Sequence, residues 1–148
     1  ITTITPTTTT TPSGTPKRRK PRLLNVGCGN STMSEELYGD GFTSIVNIDF
    51  APNVIEHMTQ RAKQNGILHP PQQPQQDDLF YYLTMDCTDM SAFADQSFDG
   101  ILDKGTVDSI MCSLDGDEMI DRMYSEISRL LNKVRSLSSP FSLSHSRF

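Results

Sequence analysis

Cysteine is scarce in this 148-residue chain. Cys28, Cys87 and Cys112 stand far apart and form no C-x-x-C pair. That argues against a disulfide framework and a structural zinc site, and points to a reducing, cytoplasmic setting. Long apolar runs are lacking too: none approaches the ~18 uninterrupted residues that a membrane-spanning helix requires, so no membrane partner is expected. The absence of a G-x-S-x-G elbow, a P-loop and an H-E-x-x-H run removes the commonest hydrolase and kinase chemistries. His57, His69 and His145 have no partners at ligand spacing, and no metal site is expected. Acidic residues are missing before position 23, where Lys17, Arg18, Arg19, Lys20 and Arg22 cluster; all 18 of them follow, against the remaining basic residues of the total of 13. So acidic a body speaks against nucleic-acid binding by the folded part.

What is present divides into three segments. Residues 1–21 combine a Thr/Pro-rich tract with the basic cluster and read as a disordered tail. Residues 22–132 carry the periodic patterns of a folded domain. Residues 133–148 are serine-rich and irregular. The chain begins with isoleucine in place of methionine, so its natural start is expected upstream.

Within the central segment, Arg22 to Val26 is a short apolar run ending in Gly27-Cys28-Gly29, the pattern of a buried strand entering a tight turn. Asn30, Ser31 and Thr32 offer capping oxygens for a helix with Glu35 and Glu36 in its first turn, closed by Gly39 and Gly41. Ile45 to Ile48 is a second strand, ending at Asp49. Pro52 opens a helix on Val54, Ile55, Met58 and Ala62, closed by Gly66. After a Pro/Gln insertion at 69–76, Phe80 to Met85 reads as a strand ending at Asp86, and Phe98 to Leu102 as one ending at Asp103. Asp117 to Leu131 is an amphipathic helix. Strands alternating with helices predict an α/β, Rossmann-like fold: a parallel sheet with helices on both faces, whose ligands bind beyond the carboxyl ends of the strands.

Those ends carry the informative residues. Gly27-x-Gly29 lets backbone approach a ligand closely. Asp49, 20 residues beyond Gly29, is placed to take both hydroxyls of a ribose. The third glycine of the dinucleotide fingerprint is absent from Gly27-Cys28-Gly29-Asn30-Ser31-Thr32, which disfavours a nicotinamide-dependent oxidoreductase. Asp86 can accept from an exocyclic adenine amine, with the Cys87 amide near a ring nitrogen. The set fits a cofactor that contains adenosine but no phosphates. Bland roles exist beside these: each aspartate can cap a helix or turn, and Cys28 can be a small packing residue.

The runs Leu24-Asn25-Val26-Gly27-Cys28-Gly29-Asn30-Ser31, Ile45-Val46-Asn47-Ile48-Asp49, Met85-Asp86 and Leu102-Asp103-Lys104-Gly105-Thr106-Val107-Asp108 resemble the class I S-adenosylmethionine-dependent methyltransferases. They are most similar to the group that methylates lysines of translation elongation factor 1-alpha. The resemblance covers residues 22 to 132. It implies S-adenosyl-L-methionine as cofactor, with Gly27, Cys28 and Gly29 along the methionine moiety, Asp49 and Phe50 at the ribose, Asp86 and Cys87 at the adenine, and Lys104 in contact with cofactor. Asp103 and Asp108 would border the methyl-transfer site as candidate catalytic residues. A protein substrate is implied, a translation elongation factor being the group's example. Oligomeric state is left open.

Two departures qualify the resemblance. The threonine tract, in a chain without tryptophan, stands where the family has a Trp- and Tyr-bearing segment over the cofactor. After Ser125 to Leu131 the family's Gly-Gly turn and distal strands do not follow. The fold is therefore expected to be incomplete, truncated at both ends, with strands one to four present and the fourth as a sheet edge. An active enzyme and a catalytically inactive binding or interaction module both fit that expectation.

Overall fold

The computed structural model describes residues 20–71 and 78–132. The expectations for the threonine tract, the serine-rich ending and residues 72–77 of the Pro/Gln insertion lie outside the described residues. At the border of the first, Lys20 Nζ reaches Asp78 Oδ1 at 2.6 Å and Thr43 Oγ1 at 3.0 Å, so this member of the basic cluster is paired with a carboxylate.

Four strands form one parallel sheet: β1 (Arg22–Val26), β2 (Ser44–Asp49), β3 (Leu79–Thr84) and β4 (Gly100–Asp103), in the order β3-β2-β1-β4. Helices α1 (Met33–Gly39) and α2 (Pro52–Gln64) connect the first three, while α3 (Thr106–Met111) and α4 (Gly116–Leu130) follow β4. Register follows from alternation: Leu23 pairs with Ile45, Leu24 with Val46 and Ile45 with Phe80, so successive residues supply opposite faces. Leu24, Val26, Val46, Ile48, Leu79 and Tyr81 pack with Ile110 of α3 and with Met123 and Leu130 of α4. On the other face, Ile45, Phe80 and Tyr82 pack with Ile55, Met58 and Ala62 of α2, and Leu37 and Tyr38 of α1 lie against them. Helices cover both faces, as the alternating pattern requires. Each fully buried large apolar side chain, such as Phe80, Ile48 or Met58, stabilises the fold by about 1.5–3 kcal/mol.

One polar layer interrupts the second core. Asn25 and Asn47 are cross-strand partners in the buried sheet; Asn25 Nδ2 donates to Ser34 Oγ at 2.9 Å and to Asn47 Oδ1 at 3.1 Å. Ser34 Oγ also donates to Asn47 Oδ1, and Asn47 Nδ2 to the Tyr81 carbonyl at 3.3 Å. The network ties the start of α1 to three strands directly below the glycine turn.

Several expected boundaries shift. Phe98 is not in β4: it forms an isolated parallel bridge with Leu131, and pairing with β1 begins only at Gly100, opposite Leu23. The reason is Asp99, whose amide donates to the Arg22 carbonyl and whose carboxylate accepts the Arg22 amide, both at 2.7 Å, so the chain crosses there before it extends. Thr32 occupies the N-cap of α1 without capping it by its side chain; its hydroxyl bonds Glu36 Oε1 at 2.6 Å, and Ser31 Oγ takes the Met33 amide instead. The helix α3 was not anticipated from sequence. Among the described residues β4 pairs only with β1, which makes it the expected sheet edge.

Candidate functional site

The strand order reverses at β1: the chain passes from β1 to β2 on one side, and β4 lies on the other. Such a switch point opens a crevice beyond the strand ends, because the connecting segments diverge. Here it is a cavity of about 350 Å3. The turn after β1 supplies Gly27 to Ser31, the end of β2 supplies Asp49 and Phe50, and the segment after β4 supplies Lys104, Gly105, Thr106 and Ser109.

Each wall has a local cause. Gly27 and Gly29 have φ of 57° and 51°, a left-handed conformation that residues with a Cβ adopt at a cost. They differ in surroundings. A Cβ on Gly27 would fall 2.1 Å from Thr106 Oγ1, whereas one on Gly29 would meet nothing within 4 Å. Gly27 thus admits α3, and Gly29 keeps the cavity open. Thr106 Oγ1 donates to the Val26 carbonyl at 2.9 Å, which locks the segment after β4 onto the end of β1.

Asp49 joins the first two walls. Its Oδ2 accepts the Gly29 amide at 2.9 Å and its Oδ1 the Ala51 amide at 3.0 Å, and the residue is 8% exposed. Each oxygen retains a further acceptor site, the form needed to receive two neighbouring hydroxyls. Phe50, next to it, is 80% exposed and lines the cavity, so an apolar face waits at its rim. Cys28 contributes backbone, its amide donating to the Ile48 carbonyl at 2.9 Å; its side chain packs in the α2-side core. Burial, reinforced by the charge of Asp49, pushes its thiol up to about 12. It is a packing residue.

Asp86 and Cys87 follow β3 and are not among the residues that line the cavity. Burial raises the Cys87 pKa, and the negative charges of Asp86, Asp103 and Asp49 push the same way. β3 ends at Thr84, one residue short of the expected strand to Met85, so Asp86 lies in the segment after the strand and does not close it. The Asp86 carboxylate accepts the Thr88 amide at 2.8 Å. Asp103 accepts the amides of Thr106 and Val107 at 2.8 and 3.4 Å and so holds the start of α3. Asp108 is exposed on α3 and is not part of the cavity lining. Among the described residues no cluster of metal-ligating side chains occurs, and no helix is long and apolar enough to cross a membrane.

Comparison with known proteins decides the family. A methyltransferase-domain model matches residues 24–134. The chain belongs to this family. It is 40% identical over 116 residues to the eEF1A lysine and N-terminal methyltransferase of Bos taurus, an alignment that covers 76% of this chain and 15% of that protein. It is 34% identical over 118 residues to the EEF1A lysine methyltransferase 4 of Mus musculus, covering 74% of this chain and 41% of the relative. The chain therefore spans a minor part of each relative. In fold, this methyltransferase domain is similar to an S-adenosylmethionine-dependent methyltransferase from Methanosarcina mazei, with a TM-score of 0.58 and 20% identity over 78% of this chain and 50% of that one. A putative enzyme of the same kind from Methanococcus maripaludis gives a TM-score of 0.58 at 19% identity, over 76% and 43%.

Family membership implies S-adenosylmethionine as cofactor, and the residues present fit it. The volume lies within the range of small-molecule pockets, roughly 300–1,000 Å3. Gly29 leaves space, Asp49 offers paired acceptors, and Phe50 offers an apolar face. Of the residues expected from sequence, Gly27, Cys28, Gly29, Asp49, Phe50 and Lys104 share the cavity, whereas Asp86, Cys87, Asp103 and Asp108 are not among the residues that line it. Sequence reasoning missed Asn30, Ser31, Gly105, Thr106 and Ser109 as lining residues. The first two offer capping oxygens in the sequence, and all but Ser109 lie within the runs that carry the family resemblance. The last three lie in or beside a helix too short to show a period.

Proposed function

We propose that this methyltransferase domain binds S-adenosylmethionine in the β1 switch-point cavity and serves transfer of its methyl group to a lysine of a protein, by in-line displacement. The observation that carries the reading is Asp49, a nearly buried carboxylate bonded to the backbone of two walls with acceptor capacity left for a ribose. Relatives named as eEF1A methyltransferases support a protein acceptor of that kind, a translation elongation factor.

The cofactor supplies an electrophilic methyl group, so the chain needs no nucleophile of its own. What it must do is position and exclude water, which accounts for large rate factors in displacement reactions. Asp49 fixes the ribose, the turn from Gly27 to Gly29 brings backbone against the methionine moiety, and Asp86 with the Cys87 amide receives the adenine edge. Lys104 and Phe50 close the rim. Both Asp103 oxygens receive backbone amides of α3, so Asp103 shapes the wall through which the acceptor arrives. A lysine acceptor must lose its proton, at a cost of roughly 4–5 kcal/mol near neutral pH. The carboxylates at the strand ends attract its cationic form but oppose that loss, so deprotonation depends on desolvation as it enters.

Calorimetric titration with S-adenosylmethionine tests binding; a folded sample that gives no heat at millimolar cofactor ends the proposal. Transfer of labelled methyl to a lysate, abolished by Asp49→Ala, supports the activity. Binding without transfer assigns the chain to a non-catalytic module.

A further inference from the structure

All five N–H donors of the Arg129 guanidinium are engaged. Nε and Nη2 take the two carboxylate oxygens of Glu126 at 2.9 and 2.8 Å. Nη2 also donates to the Met90 carbonyl at 3.0 Å, and Nη1 to the Phe93 carbonyl and to Asp95, each at 2.8 Å. That is the full capacity of the group. Glu126 completes the clamp, since its Oε2 accepts the Met90 amide at 2.7 Å. One ion pair on α4 therefore holds both backbone groups of Met90 and the carbonyl of Phe93, far more than an ordinary (i, i+3) pair engages.

The clamped segment is the continuation of the adenine end of the site. From Asp86 to Phe93 the chain is a run of hydrogen-bonded turns. The Thr88 amide donates to Asp86 Oδ1 at 2.8 Å and the Asp89 amide to the Asp86 carbonyl at 3.2 Å. The Ser91 amide donates to Asp89 Oδ1 at 3.2 Å and the Phe93 amide to the Met90 carbonyl at 2.9 Å. Met90 itself is fully buried between the sheet and α4. Asp86, at the other end of these turns, is exposed, and Met85 before it donates its amide to the Asp49 carbonyl at 2.9 Å.

We propose that Arg129 is a positioning residue for cofactor recognition: by fixing Met90 and Phe93 it sets the direction in which the Asp86 carboxylate and the Cys87 amide meet the adenine ring. The proposal rests on the reading that these two groups hold the adenine. A lysine at 129 keeps the charge but not the fork, and cannot serve a bidentate carboxylate and two carbonyls at once.

The experiment compares S-adenosylhomocysteine with its purine analogue lacking the 6-amino group, by calorimetry on the 148-residue chain and on Arg129→Lys and Glu126→Gln. Binding stoichiometry reports the folded fraction. The unchanged chain is expected to prefer the amino-bearing ligand by about tenfold, the worth of one hydrogen bond to a charged group. In the variants the preference shrinks to about threefold or less, while affinity for the deaminated analogue changes little. A purely structural role for Arg129 lowers the stoichiometry and leaves the preference of the remaining folded protein intact; that result overturns the proposal. If Arg129→Lys does not fold, Glu126→Gln, which keeps the shape of the partner, decides. No preference in the unchanged chain overturns the adenine reading itself, and the proposal with it.

Discussion

The Thr106 side chain rests on the Gly27 backbone and donates its hydroxyl to the carbonyl of the preceding residue, Val26, at 2.9 Å across 80 positions of sequence. The glycine turn and the segment after the fourth strand are thus one structural unit, and the cavity lies along their seam.

Two alanine substitutions separate the roles of the glycines. Gly27→Ala combines a left-handed φ with a Cβ 2.1 Å from Thr106 Oγ1, and is expected to destabilise the fold by about 2–5 kcal/mol, summing conformational strain and overpacking. Gly29→Ala carries the strain without the clash and should cost about 1–2 kcal/mol. Its larger effect is on ligand binding, since the methyl projects into open space. Urea unfolding alongside cofactor titration checks both; equal destabilisation by the two would refute the packing argument.

Replacing Asp49 by asparagine preserves shape but leaves one acceptor oxygen where two backbone amides now donate. Either Gly29 or Ala51 then faces an NH2 group. A tenfold to hundredfold loss of S-adenosylmethionine affinity is expected, matching a lost hydrogen bond to a charged group at about 1.5–3 kcal/mol. Wild-type affinity in Asp49→Asn would show that the carboxylate is only a turn residue.

Acid should loosen the α4 clamp. Hydrogen bonds from Arg129, with the Met90 amide and the Arg129 charge adding, hold the Glu126 carboxyl below its ordinary value against the opposing effect of burial. A carboxyl depressed in the folded state binds protons more readily when unfolded. Its contribution is therefore complete above the ordinary glutamate range, about 4.3, and is lost as pH falls through the lower folded value. Glu126→Gln should flatten that part of the acid limb when unfolding midpoints are measured against pH, while leaving the neutral region parallel to wild type.

Thiol reactivity should rank by burial. Cys112 is exposed, Cys87 half-buried and raised by desolvation and three carboxylates, and Cys28 buried with its thiol pushed up to about 12. Near pH 8 a maleimide is expected to label Cys112 first, Cys87 slowly, and Cys28 only on unfolding, because the thiolate is the reacting form. S-adenosylhomocysteine should slow labelling at Cys87 further. Mass spectrometry of timed digests reads the order, and unchanged Cys87 labelling in saturating ligand would place the adenine elsewhere.

Much of this architecture was legible because it is written in short-range patterns. β1 appeared with the boundaries Arg22 to Val26 expected of it, α2 with its proline start, and the aspartates at 49 and 103 at the ends of their strands. α3 was not legible: six residues from Thr106 to Met111 make fewer than two turns, too few to display a 3.6-residue period, and such a helix persists only through tertiary support. That support is Asp103 below its first amides and Ile110 in the core, contacts that no local reading contains. Phe98 misled for the opposite reason. Its apolar neighbours continue the strand pattern, but Asp99 ties the chain to Arg22 and starts the ladder two residues later.

The sequence by itself determined the parallel α/β scaffold, the glycine turn and the carboxylates that end the second and fourth strands, since periodicity and the torsional freedom of glycine are local properties. Only the tertiary structure decided how those ends are used. Gly27 yields to Thr106 and Gly29 to open space, Asp103 is committed to α3, and Arg129 on a distant helix anchors the segment that begins with Asp86. Each of these depends on which neighbour fills a given volume or takes a given hydrogen bond, and that is fixed when the chain packs.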